Sequence, residues 1–433
     1  MSKLYSASIA ALLFSSSTFA YAQVADQSYY SGAEVSAAES GEYFVRDRYI
    51  AADAYNYEGI DPVPVRLGAF IARPSLTVGA SAESNVFLDE VDEVSDTFLV
   101  AAPTLSTVST WSRHAIGFDA AVQHEEYLDL SSESATQVGL RGFGQVDVAS
   151  NFAIAGSATF DKIREARSSV GGNLNAAERT DIERTGVETN ALYARNRVRL
   201  RGRIAFNDID YSDVDAAVGG RTIDQDFRDH EETVAAVSAE YAVSRDWSLR
   251  GEIQHLDRNY TDINPTLNRD ISGLIFRAGT SFELPVSLRG QVSAQYQDFE
   301  PDDPMQSNIE EFGVDASVQW FPTTLTTISG YASQSVSDAG NTTGAANALI
   351  TRYGVGVDHE LLRTLDLSGE ANIENREFNP STREDEQTVL DLGATWKLNP
   401  NVQVRGGYRF TTQDSNFDSF DDNTFTISLR FFP

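Results

Sequence analysis

The eleven residues from Asn423 to Pro433 constrain the fold more than any other stretch of the chain. Phe425, Ile427, Leu429 and Phe431 alternate with Thr424, Thr426, Ser428 and Arg430. A two-residue period puts successive side chains on opposite faces of a strand, so this segment has one apolar and one wet face. It continues through Phe432 to the final residue on aromatics. The same alternation recurs back to about residue 68. A sheet that is apolar along one whole face, and closed so that no edge is unpaired, is a solution to crossing a bilayer with strands. The expected fold is all-β: a transmembrane antiparallel β-barrel of about 18 strands, or roughly 16 if the weaker segments 184–195 and 324–336 are not strands.

Charge decides which face is which. In 197–206, Val198, Leu200, Gly202, Ile204 and Phe206 share one side, and Arg197, Arg199, Arg201 and Arg203 share the other. One Arg facing lipid at the midplane costs roughly 2–4 kcal/mol, so a ladder of them must face the lumen. A slip of one residue would exchange the two faces. The same parity turns Arg289, Arg405 and Arg409 inward, with Asp119, Glu252, Asp315, Asp358, Glu370 and Asp391. A barrel of this size has room for water, so the lumen is expected to be wet and lined by Arg and carboxylate.

Connector length alternates. Tight turns near Ser150, Asn196, Asp246, Pro285, Thr323, Arg363 and Pro400 separate longer acidic loops such as 83–96, 166–183, 212–229 and 337–346. Short turns on one rim and long loops on the other is the outer-membrane arrangement, with both barrel termini on the periplasmic side. Tyr127, Tyr211, Tyr260, Phe299 and Phe378 each close a strand before a long loop and read as an outer aromatic girdle. Trp111, Trp247, Trp320 and Trp396 lie near tight turns and read as the opposite girdle.

Residues 1–22 have the form of a signal peptide: Lys3, an apolar run from Ile9 to Phe14, and a small-x-small site at Ala20–Ala22. Residues 23–66 are polar, acidic and aperiodic, and read as a partly disordered periplasmic extension, a lumenal plug being the alternative. The barrel is assigned to 67–433. Removing 1–22 loses only Lys3 from 33 basic and 64 acidic residues, which moves the net charge from -31 to -32. Such a surface repels nucleic acid. The chain has no cysteine, so disulfide and thiol chemistry are excluded.

The arginine ladder is the foremost candidate site, since guanidinium groups pair with carboxylate, phosphate or sulfate. The plainer reading is that these arginines pair with Glu188, Glu232 and Glu240 on neighbouring strands. The acidic stretches 89–96 and 298–303 lack the glycine of a calcium loop, and read as solvated charge bridged to lipopolysaccharide. The five histidines, His114, His124, His230, His255 and His359, form no catalytic spacing. No enzyme, metal or cofactor is expected. Phe425, Ile427, Leu429, Phe431 and Phe432 would be read by the barrel assembly machinery.

One region carries a family resemblance. Asp61-Pro-Val-Pro-Val-Arg-Leu-Gly68, Arg73-Pro74, Asn85, Pro103 and Trp111-Ser-Arg-His114 resemble the outer-membrane beta-barrel porin 2 family of proteobacteria. The resemblance implies a single-chain barrel, and some members sit beside exopolysaccharide export genes. It supplies no catalytic residues. The function expected is a water-filled passage for polar solutes. The alternatives are an exopolysaccharide exit channel working with polysaccharide export components, or a non-conducting structural barrel.

Overall fold

A computed structural model describes residues 49–433, except 173–175, 217–218, 220, 262–267, 341–344 and 380. The expected signal peptide and most of the extension lie outside the described residues. The chain forms one 19-stranded antiparallel sheet, of which the strand Val65–Leu67 has only three residues. The other eighteen are long. They are β1 (Phe70–Glu83), β2 (Asp96–Ser109), β3 (Ala115–Tyr127), β4 (Ala135–Ala149), β5 (Phe152–Arg164) and β6 (Asp181–Arg195). Then follow β7 (Val198–Tyr211), β8 (His230–Ala242), β9 (Trp247–Tyr260), β10 (Ile271–Leu284), β11 (Leu288–Pro301) and β12 (Ile309–Thr323). The last six are β13 (Thr326–Asp338), β14 (Asn347–Leu362), β15 (Leu365–Asn379), β16 (Glu384–Asn399), β17 (Val402–Ser415) and β18 (Phe420–Phe431).

Each strand pairs with the next, and β18 pairs with β1 from Leu76↔Phe431 to Glu83↔Thr424, which closes the barrel. The weaker segments are full strands, β6 and β13, so the count is eighteen rather than sixteen. All tight turns fall at one end, the turn end, together with the start of β1 and the finish of β18. The longer connectors gather at the other, the loop end.

Exposure follows the alternation. On β7, Val198, Leu200, Ile204 and Phe206 are exposed and Arg199 is buried. On β18, Phe425, Ile427, Leu429 and Phe431 are exposed, while Asp422 and Ser428 are buried. Exposed Val237, Ile253, Phe276, Phe312 and Val355 extend the apolar belt. So wide an apolar outer surface is stable only against lipid.

The interior differs from the expectation of a uniformly wet lumen. Ala205, Val234, Leu256, Ile271, Ile275, Phe299, Ile309 and Val336 point inward from β7–β13 and form a packed apolar cluster. A second cluster joins Val170, Ala339 and Ala345 of two loops to Ala348, Ile350 and Phe378 of the wall. The loop end is therefore filled by its own connectors, and water-accessible space is concentrated elsewhere.

Candidate functional site

The arginine ladder lies on the inner face and is largely part of the wall's ion-pair network. Arg199 pairs with Glu240 of β8, which also accepts a hydrogen bond from Ser248 Oγ. Arg203 Nε lies 2.9 Å from Glu188 of β6. Arg201 lies between them on the same face. Arg197 is not on the wall: it is exposed in the turn before β7, its guanidinium donating to the Val243 carbonyl at 3.5 Å. A strand's parity does not extend into its turn, so Arg197 is removed from the lumen lining. Further along, Glu252 is shared between Arg250 and Arg277 at 2.7 and 2.6 Å. Arg289 donates to Gln319 and to the Tyr49 carbonyl, and Arg409 pairs with Asp391 at 2.7 Å. Asp315, Asp358, Glu370 and Arg405 occupy inward positions of β12, β14, β15 and β17.

The five residues read as an outer girdle face the other way. Tyr127, Tyr211, Tyr260, Phe299 and Phe378 are buried inside the barrel. Each stands an even number of residues from an inward charged residue on its own strand, so the pleat turns it inward. They brace the loop-end cap. Tyr211, His230 and Tyr260 stack in series. The Arg228 guanidinium lies 3.9 Å above the Tyr211 ring. Arg228 also pairs with Glu165 at 2.8 Å and Asp338 at 3.4 Å, and Arg269 meets Asp338 at 2.8 Å. Arg167 and Arg179 clamp the buried Glu133 at 2.6 and 3.0 Å. Burial alone would disfavour the charge on Arg228, but the facing Glu165 and Asp338 carboxylates outweigh it and raise the guanidinium's affinity for its proton above the ordinary value.

Gly340 shows how close the loops approach. Its backbone adopts φ +61°, and a Cβ there would stand 2.8 Å from Gly171 Cα. The Gly340 carbonyl accepts from Arg269 at 2.7 Å. None of these cap residues stood out in the sequence. The available signal was isolated arginines, 167, 179, 228 and 269, inside loops otherwise acidic.

The four tryptophans are exposed near the turn end, and Trp111 and Trp247 pack on Phe70 and Phe282. Phe432 departs from the apolar row of β18: it lines the lumen beneath the Arg430 guanidinium. His124, at the loop rim, meets Thr136 and Glu126 on the outer face. In the acidic stretches, Asp89 accepts backbone N–H bonds from Val91 and Asp92, and Asp96 from Thr97, Asp129 and Leu130. Asp89 thus caps its own turn, and Asp96 ties down the neighbouring connector after β3.

A cavity of about 780 Å³ opens at the turn end. Residues 49–64 lie along it. Tyr49 donates to the Leu284 carbonyl, Ala52 N–H to Thr327, and Tyr57 OH to Glu360. Asp61 and Asp366 hold Lys397 at 3.1 and 3.0 Å. This part of the extension is thus tied to the lumenal wall. Arg409 is shared with a second cavity, about 170 Å³, between β1–β3, β17, β18 and loop residues 166–168. Arg167 and Ser168 in turn border a third of about 80 Å³ beside Arg383 and Phe417. Taken in order, the three cavities lead from the turn end towards the loops, lined mainly by β1–β3, β14–β18 and loop residues rather than by the strands of the apolar cluster.

A closed eighteen-stranded antiparallel barrel, with an apolar belt outside and a polar crevice within, belongs to the class of outer-membrane barrels. The family model described as "Putative beta-barrel porin 2" matches residues 58–431, and the chain belongs to that family. No curated protein matches it. Solved structures resemble it at low identity. OpdO of Pseudomonas aeruginosa is 14% identical, with TM-score 0.45, over 84% of this chain and 97% of that one. OccK1 (OpdK) of the same organism is 12% identical, with TM-score 0.45, over 84% and 99%. OccAB3 of Acinetobacter baumannii is 10% identical, with TM-score 0.43, over 84% and 99%. The chain is a porin-like barrel of the outer membrane.

Proposed function

We propose that the protein passes small polar solutes across the outer membrane along this crevice, with the loops outside and both barrel ends on the periplasmic side. The single observation that carries this reading is a row of three cavities that share walls, Arg409 between the first two and Arg167 with Ser168 between the last two. Ion pairs line the crossing, so selectivity comes from width and fixed charge. The small cavities at the loop end favour single solutes over an exopolysaccharide chain. The reading has no catalytic step. Assembly through the exposed row of β18, contact with lipopolysaccharide at the acidic rim, and export of residues 23–433 after loss of 1–22 belong to the same proposal.

Planar-bilayer recording of the refolded full chain tests it. Stable unitary conductance is expected, and Arg409→Ala, which widens the junction, should raise it by a measurable step. A wild-type barrel that folds and inserts but stays silent, with Arg409→Ala silent too, would leave only the non-conducting structural reading.

A further inference from the structure

The lumenal arginines differ in their partners. Arg199, Arg203, Arg258, Arg277, Arg352 and Arg409 each have a carboxylate within ion-pair distance. Arg73, Arg405 and Arg430 have none among the described residues, yet all three line the turn-end cavity. Arg430 donates to Ser75 Oγ from Nε and Nη2, each at 3.2 Å. Arg405 has only Thr395 Oγ1, at 3.4 Å. Arg73 Nη1 is buried with no hydrogen-bond partner.

Register brings Arg405 and Arg430 together. Arg430 lies opposite Gln403 on β17, so Arg405 is its diagonal neighbour two residues along. Such a diagonal leaves Cβ atoms about 7–8 Å apart, within reach of two guanidinium forks aimed at one ligand. On the other side of β18, Ser75 of β1 holds Arg430. Arg73 stands four residues from Thr77, the β1 residue opposite Arg430, and lies apart from this pair. Carboxylates border the same cavity: Asp61 and Asp366 are engaged by Lys397, Glu360 by Tyr57 and Asp391 by Arg409, while Asp53, Asp358 and Glu370 belong to the segment 49–64, β14 and β15, away from β17 and β18. Two adjacent guanidinium groups with no facing carboxylate are costly unless an anion completes them.

We propose that Arg405 and Arg430 form an oxoanion-binding site at the turn end of the lumen, taking the carboxylate, phosphate or sulfate group of a polar solute. The site deepens the passage reading: it is where such a solute would dwell. Bidentate guanidinium geometry suits these planar or tetrahedral groups and disfavours spherical halides.

The test uses the full chain folded in detergent at low salt, titrated with inorganic phosphate and read by phosphorus NMR line broadening. Saturable binding is expected. The double variant Arg405→Gln, Arg430→Gln should weaken it by at least about tenfold. Arg430→Lys keeps the charge and loses the fork, so an intermediate loss is expected and folding is less at risk. Arg197→Gln, in the exposed turn, should change nothing. Absence of saturable binding overturns the site, as does equal affinity in wild type, Arg430→Lys and any folded Gln variant. The two readings separate cleanly. Phosphate bound by a protein silent in bilayers supports the site and removes the passage; conductance without phosphate binding removes only the site.

Discussion

Arg228 is buried between Glu165, Asp338 and the Tyr211 ring, and these partners come from three different segments. Removing it leaves Glu165 buried without its guanidinium. Breaking a buried pair in this way costs about 3–5 kcal/mol. Because the sheet ladder does not depend on it, Arg228→Gln should loosen the cap while the barrel stays folded. Bilayer traces should show larger or noisier conductance, and an unchanged trace would mean the cap does not limit flow. Gly340→Ala tests the same cap sterically, since a Cβ at positive φ would meet Gly171. Faster amide exchange confined to the loops around 171 and 340 is the expected result. Asp229 gives the cap a pH dependence. Burial, then the nearby Asp210 and Asp226, push its carboxyl up to about 6 despite a backbone bond from Tyr211. Its folded value exceeds its unfolded one, so its stabilising contribution is complete below about pH 4 and fades as pH rises through about 6. Loop amide protection, corrected for intrinsic rates, should therefore be greater at about pH 5 than at neutrality, and Asp229→Asn should abolish the difference. These residues were not legible in the sequence. Loop arginines carry no period, and their partners lie up to 110 positions away.

At the scale of the strand, the sequence was read well where a charged residue fixed parity. β7 and β18 face as the alternation requires, because misplacing a charge against lipid is more costly than anything else on the strand. The aromatics before the long loops were misassigned by position along the strand, although the parity already used for the arginines placed them inside. Tyr211 is eight residues from Arg203, and Tyr260 eight from Glu252, so both must share the arginine and glutamate face. The lipid-face assignment has its own test. Ile204→Arg should destabilise the barrel by roughly 2–4 kcal/mol in urea unfolding from lipid vesicles, if that position lies near the midplane. Leu200→Val, on the same face, should cost far less. Equal effects would mean that this face is not in lipid.

For the whole molecule, closure and filling are separate matters. A closed barrel needs only paired edges and an apolar exterior, and both are written into a two-residue period that every strand repeats. How full the barrel is depends on loops folding back and on residues 49–64 lying against the inner wall. Deleting 49–64 should enlarge the turn-end cavity and raise conductance, and an unchanged conductance would place the limiting constriction at the loop-end cap. The sequence by itself determined the fold class, the face of each strand that carries a parity-fixing charge and the lipid-facing surface, because local periodicity carries all three. Only the tertiary structure decided which arginines are neutralised and which stand unpaired around the cavity. Pairing depends on what lies across two or three strands and in distant loops, and no local period encodes that distance.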